Sequence, residues 1–514
     1  MQRVVLIVMD GWGISTKRKG NCIYLAKPKH YRHFINSYPH TELCASGLCV
    51  GLPKNSQGNS EVGHLHLGAG RIVLQPLEKI NRAIKNGEFF RNKAFLKAIN
   101  FVKRNKSKLH LMGLCSDEGV HAHINHLLAL MELAAKHRIT FYVHFFADGR
   151  DVPERSALKY VRIIERKIKK LKRGKIASIV GRYYSMDRDN NWQRTEKAYN
   201  LLTLAEGRKA NSAEEAIKLA YSLGDPTDYY IKPTAIVDKT NKPIATIDDK
   251  DAVIFFNFRT DRPRQLTKAF IYKRFPHFKR KKFPNVLFVG FTLYDKSFSN
   301  KMLVAFEEEK IKNNLGEVIS RHNLKQLRIA ETEKYAHVTY FFNSQRERPY
   351  RGEKRILIPS AKVPSYALKP EMSAYEIAEE TIRQINSKKF DFILVNFANC
   401  DLVGHSANIK AIVKAVKVVD ECTAKVAKAA LENNYAAVIT ADHGSAEEKL
   451  YANGRPKPAH STNPVPFIIV SNSPELRKAK LKKKGKLIDV APTILYIMGL
   501  PKPREMEGKV LIEH

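Results

Sequence analysis

Five places in the sequence set Asp, His or Ser where they can hold a divalent cation or attack phosphorus. DLVGH puts Asp401 and His405 four residues apart, a spacing that shares one face of a helical turn. ADHG puts Asp442 beside His443 at the end of an apolar run, where adjacent side chains diverge toward different ions or different edges of one site. His460 lies in PAHSTNPVPF, just ahead of another apolar run, and Asp10 closes the first run, VVLIVMDG. Ser60 sits in SQGNSEVGHLHLGAGR, where glycines permit close backbone approach to a phosphate and a following helix offers its N-terminal N–H groups to an anion. Taken singly, each has a plain structural reading: an Asp–His turn, a surface histidine, or a serine that caps a helix. Taken together, Asp, His and hydroxyl groups suit Mn²⁺ or Zn²⁺ better than Ca²⁺. Two such ions can clamp an in-line phosphoryl transfer and lower the pKa of a serine hydroxyl.

A second group is cationic. Arg150, Arg182, Arg188, Arg259 and Arg262, with His121 and Asp151, follow apolar runs in the middle of the chain. Guanidinium forks bind carboxylate and phosphate bidentately, so converging arginines imply a small, multiply charged substrate.

These side chains must be positioned by strands. VVLIVMDG, FDFILVNFANCD, YAAVITADHG and VPFIIVS read as buried strands of a parallel sheet, with helical patterns such as residues 408–434 between them. Strand–helix alternation predicts a doubly wound α/β sheet, whose ligands sit beyond the carboxyl ends of its strands. KLHLMGLCSDEGVHAH, ITFYVHFFADGRD, IASIVGRYYSMDRD and AVIFFNFRTDR each read as strand then loop in a second sheet. The metal-type residues fall at 1–75 and 310–514 and the arginines at 76–309, which predicts one domain inserted into another. A chain of 514 residues also exceeds one ordinary core.

Composition narrows the function class. No apolar run is long enough for a membrane helix, and the short N-terminal run lacks a leader pattern, so a cytoplasmic protein is expected. The six cysteines show no CxxC spacing and are expected to be reduced thiols. The net charge of +38 concentrates in segments 162–175, 273–283 and 476–486. It suits an anionic substrate or a nucleic acid, but no nucleic-acid-binding motif accompanies it, and no specific nucleic-acid partner is expected.

The order of motifs resembles the cofactor-independent (2,3-bisphosphoglycerate-independent) phosphoglycerate mutases of the alkaline phosphatase superfamily. VVLIVMDGWG, GNSEVGHLHLGAGRIV, DEGVHAHINHL, ADGRDVPE, GRYYSMDRDNNW, FNFRTDRPRQ, AETEKYAHVTYFFN, PEMSAYE, VNFANCDLVGH, ITADHGSAE and HSTNPVPF carry the resemblance essentially end to end. It implies an alkaline-phosphatase-like domain with a substrate-binding phosphotransferase domain inserted. It implies an isomerase of glycolysis and gluconeogenesis that interconverts 3- and 2-phosphoglycerate through a phosphoserine on Ser60, without 2,3-bisphosphoglycerate. Asp401, His405 and His460 match the ligands of one Mn²⁺, and Asp10, Ser60, Asp442 and His443 those of the other, with Zn²⁺ or Co²⁺ as substitutes. His121, Arg150, Asp151, Arg182, Arg188, Arg259, Arg262 and Lys334 match the substrate-binding set, with Asp151 as a proton shuttle and Lys334 neutralising transferred charge. Glycerate stays bound and reorients between the two transfers, domain closure excludes water, and a monomer is expected. Two residues depart from the pattern: Cys400 stands where proline is expected and Ser445 where asparagine is expected. The competing readings are a phosphatase or sugar-phosphate mutase of the same superfamily, an inactive relative, and a charge-driven nucleic-acid binder.

Overall fold

A computed structural model describes residues 1–513. It divides into two compact units, residues 1–75 with 310–514 and residues 76–309. Unit 1 opens with β1 (Arg3–Met9) and β2 (His40–Cys44). Unit 2 carries β3 (Leu109–Leu114), β4 (Phe141–Ala147), β5 (Lys175–Gly181), β6 (Arg208–Ala210), β7 (Thr234–Ile236), β8 (Ala252–Phe255), β9 (Leu287–Gly290) and β10 (Leu303–Val304). Unit 1 resumes with β11 (Gln326–Glu331), β12 (Glu353–Ile358), β13 (Phe392–Phe397), β14 (Tyr435–Thr440), β15 (Val465–Val470) and β16 (Lys484–Lys486).

The unit 1 sheet has the order β12-β11-β13-β1-β14-β15-β2-β16. β1 is central because its Val/Leu/Ile run is buried on both faces, as a covered parallel strand requires. Register then does the positioning. Val8 lies level with Asn396 of β13 and with Thr440 of β14, so the three strands end together. Asp10, Asp401 and Asp442 therefore leave the sheet at one edge. β15, expected in the parallel set, instead pairs antiparallel with both β14 and β2. Its apolar run is buried like its neighbours', and burial carries no information on strand direction.

Unit 2 repeats the device. Its sheet has the order β10-β9-β8-β3-β4-β5-β7-β6. Leu114 of β3 lies level with Phe146 of β4, Met112 with Phe255 of β8, and Ala147 of β4 with Gly181 of β5. The segments at 115–121, 148–151, 182–188 and 256–262 thus emerge at a shared edge. After β5 the chain enters a short helix, Arg182–Ser185, where a loop was expected. Each unit has its own apolar core, and the two share no residue.

The cysteine expectation needs correction. Cys22, Cys115, Cys400 and Cys422 are buried free thiols, but Cys44 and Cys49 are joined in a disulfide. Cys44 ends β2, and the single 3₁₀ turn Gly47–Val50 brings Cys49 back beside it, a proximity that spacing alone does not reveal.

Candidate functional site

Ser60 opens the helix Ser60–Ala69. The cap is Asn59, whose side chain accepts from the Val62 N–H, so Ser60 is not the capping residue and its hydroxyl is free for other work. Gly63 lets this helix lie against the end of β14: a Cβ there would stand 2.5 Å from the Asp442 carbonyl oxygen. Gly11 turns the chain after Asp10 with φ +79°, and a Cβ on it would meet the Asp401 backbone nitrogen at 2.7 Å.

Around Ser60 Oγ the polar atoms converge. Lys334 Nζ lies 2.7 Å away, His443 Nε2 3.0 Å and Asp10 Oδ1 3.2 Å. Lys334 comes from the helix Thr332–Ala336 that follows β11. Its ammonium also donates to Asp10 Oδ1 at 2.9 Å and Asp401 Oδ2 at 2.6 Å. Burial alone would lower its pKa, but Asp10, Asp401 and Asp442 outweigh burial and raise it. Asp401 Oδ1 faces His460 Nε2 at 2.9 Å, His405 Nε2 at 3.3 Å and His443 Nε2 at 3.8 Å.

The donor chemistry of this cluster fits divalent cations. His460 Nδ1 lies 2.8 Å from the Gly58 carbonyl and His443 Nδ1 3.2 Å from the Gly444 carbonyl. A carbonyl only accepts, so both rings carry their proton on Nδ1 and turn an Nε2 lone pair inward. Those lone pairs face carboxylates, and the buried atoms Asp401 Oδ1 and Asp442 Oδ2 have no hydrogen-bond donor. Acceptors facing acceptors are the arrangement a cation satisfies. Three residue groups bring their ligand atoms within 4.8 Å of one another: Asp401, His405 and His460; Asp10, Asp401 and His443; and Asp10, His64 and Asp442. Without a cation, burial lowers the His443 pKa, but Asp442, Asp10 and Asp401 raise it more, to about 9. Lys334 and the histidines hold Asp401 well below the carboxylate range against its burial.

His64 was not among the residues singled out from the sequence. Its Nδ1 lies 2.9 Å from the Ser60 carbonyl and 3.2 Å from Asp442 Oδ2, and its Nε2 accepts from Asn396 Nδ2 at 3.0 Å. Both nitrogens are thus engaged, which makes it a support for its neighbours. Asn396 also donates to Asp10 Oδ2 at 2.8 Å, fixing that carboxylate. A histidine at helical spacing among leucines reads as core, and only the GHLH motif hinted otherwise.

Unit 2 gathers the cationic set. Arg182, fully buried, donates from Nη1 to Asp148 Oδ1 and Asp151 Oδ2, both at 2.6 Å. Asp148 also accepts from Ser116 Oγ at 2.6 Å and from the Arg150 and Asp151 N–H groups. Asp148 too went unremarked in the ADGRD motif. Asp261 is the matching anchor: it binds Arg188 Nη1 at 2.8 Å and Arg259 Nε at 3.2 Å, and its Oδ1 lies 3.7 Å from His121 Nδ1. Arg262 donates to the Met186 carbonyl at 3.1 Å. Its pKa is lowered by burial first, then by the neighbouring guanidiniums of Arg182 and Arg188. Burial, reinforced by Arg182, also holds His121 neutral, down to about 4. The side chains of Arg150, Arg188 and Arg259 are exposed at this edge. The edge gathers five guanidinium groups around an imidazole held neutral.

The chain has many relatives. A family profile described as "BPG-independent PGAM N-terminus" matches residues 80–296. A 2,3-bisphosphoglycerate-independent phosphoglycerate mutase of Clostridium acetobutylicum is 51% identical over 512 residues, 99% of each chain. One of Acetivibrio thermocellus is 48% identical over 513 residues, again 99% of each. Among solved structures, a Leishmania mexicana phosphoglycerate mutase determined at low cobalt concentration superposes with a TM-score of 0.67 at 32% identity, covering 100% of this chain and 98% of that one.

Proposed function

The chain belongs to the 2,3-bisphosphoglycerate-independent phosphoglycerate mutases, a family of isomerases, and on that premise we propose that it moves the phosphoryl group of phosphoglycerate by way of Ser60. The observation that carries the reading is the setting of Ser60 Oγ, within 3.2 Å of an ammonium, an imidazole nitrogen and a carboxylate at the head of a helix.

Ser60 Oγ attacks the phosphorus of 3-phosphoglycerate, and the bond to the glycerate 3-oxygen breaks. Lys334 offsets charge on the phosphoryl oxygens and on Ser60 Oγ. The backbone N–H groups at the start of Ser60–Ala69 add a fixed positive field. The arginines of unit 2 hold glycerate by its carboxylate, with Arg182 kept rigid by Asp148 and Asp151. Asp151 passes a proton between the glycerate hydroxyls, and His121, neutral, accepts or donates a hydrogen bond to them. The 2-hydroxyl then attacks the phosphoserine and regenerates Ser60. Asp401, His405 and His460 would hold one divalent cation and Asp10, Ser60, Asp442 and His443 another, Mn²⁺ in our reading. When bound, the two cations supply Lewis acidity and favour the serine alkoxide. In this reading unit 1 is the metal-binding, phosphatase-like domain and unit 2 the inserted substrate domain.

The test is an enolase-coupled assay with 3-phosphoglycerate and Mn²⁺ and without 2,3-bisphosphoglycerate. We expect 2-phosphoglycerate to form, to stop with EDTA and to resume with added Mn²⁺. Release of inorganic phosphate in place of 2-phosphoglycerate would make the protein a phosphatase. Turnover indifferent to chelation would remove the two-cation reading.

A further inference from the structure

Behind the cation cluster lies a lysine that the reaction does not use. Lys449 is completely buried and forms no ion pair among the described residues. Its Nζ donates to Ser445 Oγ at 2.8 Å, the Ala459 carbonyl at 3.2 Å and the Gly404 carbonyl at 3.3 Å. An ammonium has three N–H groups, and here two meet oxygens of the β14–β15 connection, Ser445 and Ala459, and the third meets the 3₁₀ turn Gly404–Ser406. Two of those carbonyls belong to the residues immediately before His405 and His460. The third acceptor, Ser445, follows the Asp442–His443 turn.

The packing around this tripod leaves little slack. A Cβ on Gly404 would stand 2.9 Å from Ser445 Oγ and 3.5 Å from Lys449 Nζ. Beside it, Glu447 ties the β14–β15 connection to the turn after β1. Its carboxylate accepts from the Gly13 N–H at 3.1 Å, the Ser445 N–H at 2.8 Å, Asn463 Nδ2 at 3.0 Å and Ser461 Oγ. Burial pulls the Lys449 ammonium down to about 8, with Glu447 and Asp401 acting against burial.

We propose that Lys449 is a positioning residue: by clamping the carbonyls of Gly404 and Ala459 it sets the separation of His405 and His460 for the divalent cation they share with Asp401. Groups outside a metal's own ligands that orient those ligands typically change affinity ~10–100-fold. A surface lysine would not be expected to do so. This role rests on the two-cation reading above.

The experiment uses Lys449→Met, which keeps the length of the apolar stem and removes every donor. Mn²⁺ binding to EDTA-stripped protein is measured by titration calorimetry, the melting temperature of the stripped protein by scanning calorimetry, and kcat and KM across a range of Mn²⁺. We expect one of two Mn²⁺ sites to weaken ~10–100-fold. The stripped protein should melt within a few degrees of wild type, because removing a buried cation with no carboxylate partner offsets the loss of the donor to its three acceptors. KM for phosphoglycerate should stay unchanged, and excess Mn²⁺ should restore kcat. An isotherm within about 2-fold of wild type overturns the proposal, as does a loss that tracks a lowered melting temperature and resists excess Mn²⁺. Should Lys449→Met fail to fold, Ser445→Ala removes one acceptor, and a weakened single site there carries the same meaning; an unchanged isotherm overturns it. Wild-type protein that takes up no Mn²⁺ would overturn the two-cation reading and this role with it. A binding wild type beside an unchanged variant would overturn the role of Lys449 alone.

Discussion

Single side chains in this protein are over-determined, and removing one leaves its partners exposed as liabilities. Ser60→Ala is the simplest case. Asn59 makes the helix cap, so the variant should keep its melting temperature while isomerase turnover falls by on the order of 10³-fold or more. Turnover near wild type would end the phosphoserine reading. Arg182→Met strands the Asp148 and Asp151 carboxylates that Arg182 now pairs. Breaking such a buried pair destabilises by about 3–5 kcal/mol, and we expect urea unfolding to show that loss. The sequence pointed to the seven candidate cation ligands, Ser60 among them, and to the arginines because their motifs are dense in chemistry. It did not reveal His64, Asn396, Asp148 or Asp261, whose work is to orient others and whose types are ordinary in a core or a turn. Nor did it reveal the Cys44–Cys49 disulfide, which depends on a backbone reversal.

At the level of strands and helices, register carries the function. Because β1, β13 and β14 end level, three aspartates reach one place without any long loop. The price is close approach, as at Gly63. Gly63→Ala must push the helix Ser60–Ala69 off the end of β14, displacing Ser60. We expect a loss of about 1–3 kcal/mol on thermal unfolding and a fall in kcat with little change in KM. Strand existence was plain in the apolar runs, whereas the reversed direction of β15 was not, since its pattern is the same either way. Unit 2 contains a different element-spanning feature. Asp251, just before β8, meets His110 Nε2 at 3.0 Å; His110 Nδ1 meets His144 Nε2 at 2.9 Å; and His144 Nδ1 meets Ser178 Oγ at 2.7 Å, a chain across β3, β4 and β5. Burial lowers the pKa of His110 in spite of Asp251, and drives that of His144 well down with His110 and Lys108 adding to it. His126 is similarly depressed by burial, to about 3. In the unfolded chain these imidazoles take protons near ~6.5 and in the folded chain they do not, so the unfolded state binds more protons below that pH. These three imidazoles should therefore take stability away as the pH falls from ~6.5 to ~5, read from urea midpoints. Midpoints unchanged over that interval would contradict it.

As a whole, the molecule is two cores on one chain, and the interrupted one encloses nothing of the other's apolar membership. The segment 76–309 should thus fold alone, melting cooperatively, and should bind no Mn²⁺, because every candidate cation ligand lies outside it. A fragment that melts without cooperativity would refute this. The basic segments 162–175, 273–283 and 476–486 contribute no residue to either site as described. The same interruption fixes an order of events at the ribosome. β1, the central strand of its sheet, is synthesised before every other strand of either sheet, yet its two neighbours begin at Phe392 and Tyr435. At ~5–20 residues per second they emerge about 20–90 s later. Meanwhile the segment 76–309 acquires every partner it needs and can collapse, while the N-terminal run Arg3–Met9 waits with both edges open. Until those neighbours emerge, the β1 segment is the stretch of the nascent chain with the strongest physical reason to be held by a chaperone.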